Sequence, residues 1–280
     1  MTLTMTLKAQ VTCPDYDWNP VATASSWVPF TGGIAGFLFT GLVFLLSTDP
    51  KGRQEATNAF TLLITAFFGF LTMAYLTAGL SGEQNCTRAY TGFAITGGVL
   101  ATSVICMCIT LTWLLPAYER YNQEILPFLR HVVYFIFTLA AIMLAVSSFG
   151  FLQTTVGTNL VFHAVVMGAT ALAAIATGFT AVYRKRHTPL SPDKRNDRVK
   201  WLARLALGYL ATASVITGIV MSIPNPAWDP PAHAGLYAAA YGSHALPLGI
   251  LLWSIGAIAL RTSAPPTSQV PPPRASEQKS

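Results

Sequence analysis

Residues 236–260, LYAAAYGSHALPLGILLWSIGAIAL, run for 25 positions without a Lys, Arg, Asp or Glu. At about 1.5 Å per residue such a run spans the roughly 30 Å hydrocarbon core of a bilayer as a helix. Its only ionisable side chains are Tyr237, Tyr241 and His244. Pro247 lies three residues after His244, and because proline lacks a backbone N–H the helix is predicted to bend beside the histidine. Six further apolar runs of span length precede this one, at 27–48, 59–80, 92–115, 132–152, 159–182 and 202–223. Seven spans would leave the two termini on opposite sides of a membrane.

The composition agrees. Of 280 residues 52% are hydrophobic and 10% charged, with a mean hydropathy of +0.49, whereas soluble domains carry about 25% charged residues. The formal charge of +6 has to be read by position before it is read as a nucleic-acid footprint. Fourteen Lys and Arg, among them Arg184, Lys185, Arg186, Lys194, Arg195, Arg198 and Lys200, fall in connections on one side, and only Lys8 and Arg88 fall on the other. Basic loops stay cytoplasmic, so the expected orientation is N terminus outside and C terminus cytoplasmic, and no nucleic-acid partner is expected. The expected organisation is an extracellular segment 1–26, a seven-helix transmembrane domain 27–261, and a Pro/Ser-rich disordered tail 262–280, in a multi-pass protein of the cell membrane.

All eleven acidic residues lie outside the apolar runs. Ion pumps and ion-coupled transporters place carboxylates at membrane depth to bind and release the transported charge, so pumping is not expected. No metal site is expected, and the histidines do not pair at one depth as a haem would require. Cys13 and Cys86 fall on the same outer side, where a Cys13–Cys86 disulfide and two free thiols both remain open. Cys106 and Cys108 sit inside a span as packing residues.

The remaining polar groups of the outer half define the candidate site. His244 and Tyr241 are the candidate acid/base or hydrogen-bonding pair, with Tyr75, Arg88, Thr91 and His163 as candidate pocket residues. The structural alternative is an interfacial aromatic belt, and for His163 a hydrogen bond to a neighbouring helix.

The stretch 44–80, FLLSTDPKGRQEATNAFTLLITAFFGFLTMAYLTAGL, and the following RAYTGFAITGG at 88–98 resemble the first loop, second helix and start of the third helix of the microbial rhodopsins. Tyr75 takes the place of that family's helix-two tyrosine, Arg88 that of its arginine and Thr96 that of a threonine. The likeness covers about the first 115 residues and implies an all-α, rhodopsin-like seven-helix bundle with a central cavity. It departs from the family at the functional positions. Thr91 replaces the carboxylate counterion, Gly92 the tryptophan that packs on retinal, and Thr102 a proton donor. The last span has no lysine for a Schiff base, and 202–222 lacks the aromatic and proline cage for the chromophore.

The functional expectation is therefore a retinal-independent membrane protein with a pocket for a hydrophobic small molecule, using neither retinal nor haem. One alternative is a cofactor-independent cyclase or isomerase acting on a lipophilic polyketide or terpenoid intermediate. The other is a sensory or scaffold partner of a second membrane protein. A homo-oligomer is left open.

Overall fold

The computed structural model describes residues 19–47, 53–117, 125–156, 160–187, 191–223, 234–255 and 258. These form seven α-helices: α1 Pro20–Ser47, α2 Arg53–Leu80, α3 Cys86–Ala117, α4 Ile125–Val156, α5 Leu160–His187, α6 Pro192–Ser222 and α7 Ala234–Ile255. No strand occurs among the described residues. The N-terminal segment with Cys13, most of the loop before α7, and the tail from 259 lie outside them.

Six of the seven helices, α1 to α6, are long and apolar enough to cross a membrane. The exception is α7, where the expected run of 236–260 becomes a helix ending at Ile255. Two tyrosines, two serines, a histidine and a proline dilute its apolar content, and residues 256, 257, 259 and 260 are not described. The expectation of seven spans is thus met as seven helices with six clear candidates.

Local sequence sets the helix starts. Asn19 caps α1, its Oδ1 accepting from the Val21 and Ala22 amides at 3.0 and 3.1 Å, while Pro20 occupies the first turn, where its missing N–H removes no helical bond. Asn85 does the same for α3 through the Arg88 amide at 3.0 Å. Within the helices, threonine and serine hydroxyls return their hydrogens to carbonyls one turn back, as Thr77 does to Met73 at 2.8 Å and Ser103 to Val99 at 2.7 Å. That habit keeps hydroxyls satisfied where no water reaches.

Helix α3 is the hub, packing against α1, α2, α4, α6 and α7. Its contact with α2 is close enough that a Cβ on Gly69 would fall 2.1 Å from Ser103 Oγ, so glycine is required there for the backbones to approach. The last two helices sit in reverse order relative to a ring in chain order: α5 packs against α7 and not α6, and α6 returns to α2. Between them lies a core that includes Leu62, Ile105, Trp113, Leu202 and Leu251. The outer surface is apolar too, with Phe37 81% exposed and Phe135, Val161 and Ile219 exposed likewise. A water-soluble protein does not present such a surface, and a bilayer solvates it.

Candidate functional site

Glu83, Arg88 and Ile223 tie one end of the bundle. Arg88 donates through Nε to Glu83 Oε2 at 2.8 Å and through Nη2 to Oε1 at 2.5 Å, and a further N–H reaches the Ile223 carbonyl at the end of α6. The Gln84 and Asn85 amides also donate to Glu83 Oε1. Burial pushes this carboxyl up, but the Arg88 hydrogen bonds, the two amides and the Arg88 charge outweigh it and hold Glu83 below the ordinary carboxylate value. Arg88 is therefore a clamp between the α2–α3 loop and α6. Cys86, at the start of α3, is disulfide-bonded; Cys13, its expected partner, lies outside the described residues.

Along the seam between α5 and α7 the sequence-derived residues do meet. His163 Nδ1 and the Tyr241 hydroxyl are 2.7 Å apart, and the His163 ring stacks on Tyr237 with centroids 5.0 Å apart. One to two turns further in, His244 Nε2 lies 2.8 Å from Thr170 Oγ1. His244 is 1% exposed and lies beside the Leu144 backbone, and its Nδ1 has no side-chain partner among the described residues. These contacts join α5 to α7. Tyr75 stands apart, 78% exposed on the outer face of α2.

Two apolar clefts open beside this seam, and both reach Ser243 of α7. The first, about 370 Å³, lies among α3, α6 and α7 and is lined by Thr91, Ile95, Tyr209, Ala213, Ala239 and Ser243, among others. The second, about 460 Å³, is bounded by Trp27 of α1, Phe93 and Gly97 of α3, Met143 and Ser147 of α4, and Ser243. Both fall in the range of small-molecule sites. Exposed Thr212, Ile216 and Ala238 form part of the first cleft's wall, as exposed Leu139 and Met143 do for the second. Each cleft thus opens sideways, toward the surface that a bilayer would cover.

The polar content of the first cleft is small and mostly committed. Thr91 donates to the Thr87 carbonyl at 2.8 Å, Thr212 to Gly208 at 2.8 Å and Ser243 to Ala240 at 3.0 Å. The Tyr209 hydroxyl is different: Tyr209 is 8% exposed and its Oη has no hydrogen-bond partner among the described residues. It rests against Gly98 of α3, where a Cβ would fall 2.0 Å from Tyr209 Oη and 3.0 Å from the Ser243 carbonyl oxygen.

Of the six residues expected from sequence, then, Thr91 lines a cleft, Tyr241, His163 and His244 form the adjoining seam, Arg88 is a structural clamp, and Tyr75 faces outward. Tyr209, Ser243 and Gly98 were not anticipated. Their one available signal was Pro247, since a proline leaves the carbonyl four residues before it without its helical donor, and that residue is Ser243. The described residues hold no cluster of three or more His, Cys, Asp or Glu suited to a metal. Comparison with protein-family models, with curated proteins and with solved structures gives no match.

Proposed function

We propose that this protein is a multi-pass membrane protein that holds a hydrophobic small molecule between its helices, entered laterally from the bilayer. The observation that carries this reading is the pair of apolar clefts converging on Ser243, of ligand size and open on the apolar flank. The protein lies in the cell membrane with its N terminus outside and its C terminus cytoplasmic, an orientation supported by the asymmetry of Lys and Arg between connections. The likeness to microbial rhodopsins enters this reading as seven helices around an intramembrane pocket; without a lysine in α7 the occupant is held non-covalently, and without carboxylates in the spans the protein does not pump ions.

Native mass spectrometry of protein released from gentle detergent is the direct test. A bound apolar molecule is expected on the intact chain and should be displaced by Ala238→Trp in the first cleft or Gly97→Leu in the second. A chain that carries only bulk phospholipid, unchanged by either substitution, would sink the proposal.

A second reading, a cofactor-independent cyclase or isomerase, is favoured by one feature: Tyr241 and His163, 2.7 Å apart, form a hydrogen-bonded acid/base pair. Neither lines a cleft, which is why binding ranks first. In the enzyme reading Tyr241→Phe and His244→Ala abolish turnover while the ligand still binds; unchanged turnover in both removes catalysis by these groups.

A further inference from the structure

We infer that Tyr209 and Ser243 together read a hydroxyl group, so that the ligand of the first cleft is a lipophilic alcohol. This rests on the binding reading above and narrows its chemistry. The phenolic O–H of Tyr209 is a buried donor with no acceptor among the described residues. The Ser243 carbonyl is an acceptor whose helical donor is missing, because Pro247 stands where the i+4 N–H should be. Both oxygens lie within a few ångströms of one point above Gly98, at 2.0 and 3.0 Å from where a Cβ would be. Glycine at 98 is what lets the Tyr209 hydroxyl and the Ser243 carbonyl come this close to α3.

A donor and an acceptor side by side are complementary to a group that is both. A hydroxyl accepts from Tyr209 and donates to Ser243; a ketone or ether satisfies only the first, and a hydrocarbon neither. The rest of the lining selects for an apolar body, since the other hydroxyls around the cleft already donate within their own helices. In the structure the Tyr209 hydroxyl is tucked against α3, while the side chain borders the cleft. Turning it toward a ligand breaks no hydrogen bond to any described residue. A water molecule has the same donor–acceptor character as a hydroxyl, so the test must separate the two.

The probes are farnesol, farnesyl methyl ether and farnesene, which share an apolar chain and differ at one end. Binding is measured by competition against radiolabelled farnesol on the full-length protein in lipid nanodiscs. Farnesol is expected to bind about tenfold more tightly than the ether, a difference of the size one satisfied buried hydrogen-bond pair provides. Pro247→Ala, which returns an N–H donor to the Ser243 carbonyl, should bring farnesol down to the ether's affinity and leave the ether unchanged, whereas Tyr209→Phe, which deletes the donor that both probes accept from, should weaken farnesol and the ether alike and leave farnesene unchanged. An alcohol preference that survives Pro247→Ala, or farnesol and ether affinities that Tyr209→Phe leaves untouched, overturns the hydroxyl assignment. Equal affinities of alcohol and ether in the unsubstituted protein also overturn it, because the pair then holds a water molecule only. If no probe binds, or if all bind and Ala238→Trp displaces none of them, the cleft reading itself has failed. A loss of alcohol preference with retained cleft binding is thereby distinguishable from loss of the site.

Discussion

Four N–H donors converge on the Glu83 carboxylate, two from the backbone and two from Arg88, and together they set an acid limit on the fold. A carboxyl held below its unfolded value of about 4.3 stabilises the protein above that value and loses the contribution as pH falls through the folded value. Acidification from about pH 5 downward is therefore expected to lower the midpoint of detergent-induced unfolding. Glu83→Gln should flatten that dependence, and at neutral pH it should destabilise by about 3 kcal/mol because it strands a buried guanidinium. Parallel pH profiles for the two proteins would show that the acid sensitivity arises elsewhere. Gly98 allows a second prediction at this scale. A methyl there meets Tyr209 Oη first and the Ser243 carbonyl second, so Gly98→Ala should destabilise by about 1–3 kcal/mol. Because the tighter clash is with a hydroxyl, adding Tyr209→Phe should recover part of that loss, and strictly additive effects would mean that the methyl disturbs α7 instead.

Among the described helices α5 packs against α4 and α7 alone, and its polar attachments to α7 include His163–Tyr241 and Thr170–His244. Interhelical hydrogen bonds in membranes average about 0.6 kcal/mol and reach about 1.7. Tyr241→Phe and Thr170→Val should each loosen α5 by that order, and hydrogen exchange should rise along α5 while α2 and α3 stay protected; uniform exchange across the bundle would refute a local role. The helices themselves were legible in the sequence, because uncharged runs of span length leave little choice in a bilayer, and six of seven passed that criterion. Which face each helix turns inward was not legible. In water an amphipathic stripe marks the buried face, but here lipid-facing and core-facing residues are both apolar, so nothing near Tyr75 distinguished a pocket position from the exposed one it occupies. Thr91, His163, Tyr241 and His244 were readable for the opposite reason: a polar group at membrane depth needs a partner, and the structure supplies partners for at least part of each. Tyr209 escaped notice because its importance is an unmet hydrogen bond set by Gly98 on α3 and Pro247 on α7, a coincidence of three helices that no single stretch encodes.

Across the whole molecule the two ends differ in kind. At one end Arg195 lies 5.2 Å from the Trp113 ring and Arg198 lies 5.6 Å from Trp253, while Asn58 and Asn196 are hydrogen-bonded at 2.8 Å. Cations stacked on indoles at helix ends suit a membrane interface. The clefts lack a lysine, so purified protein given all-trans-retinal should develop no visible absorption band that hydroxylamine abolishes; such a band would overturn the non-covalent reading. Whether the chain crosses the membrane six or seven times turns on α7. Its 22 residues extend about 33 Å at 1.5 Å per residue, enough for the hydrocarbon core, and its Pro247 and His244 are tolerated because α3, α4, α5 and α6 surround it. Seven crossings put the termini on opposite sides, whereas six put them together. An epitope at the N terminus should therefore react with antibody on intact cells, and one at the C terminus only after permeabilisation. Ser191→Cys, on the basic side, should likewise resist an impermeant maleimide until the membrane is opened, the free Cys106 and Cys108 being buried. Both epitopes exposed on intact cells, with Ser191→Cys protected, would mean that α7 does not cross, and the seven-span topology would fall while the orientation of α1 to α6 stood.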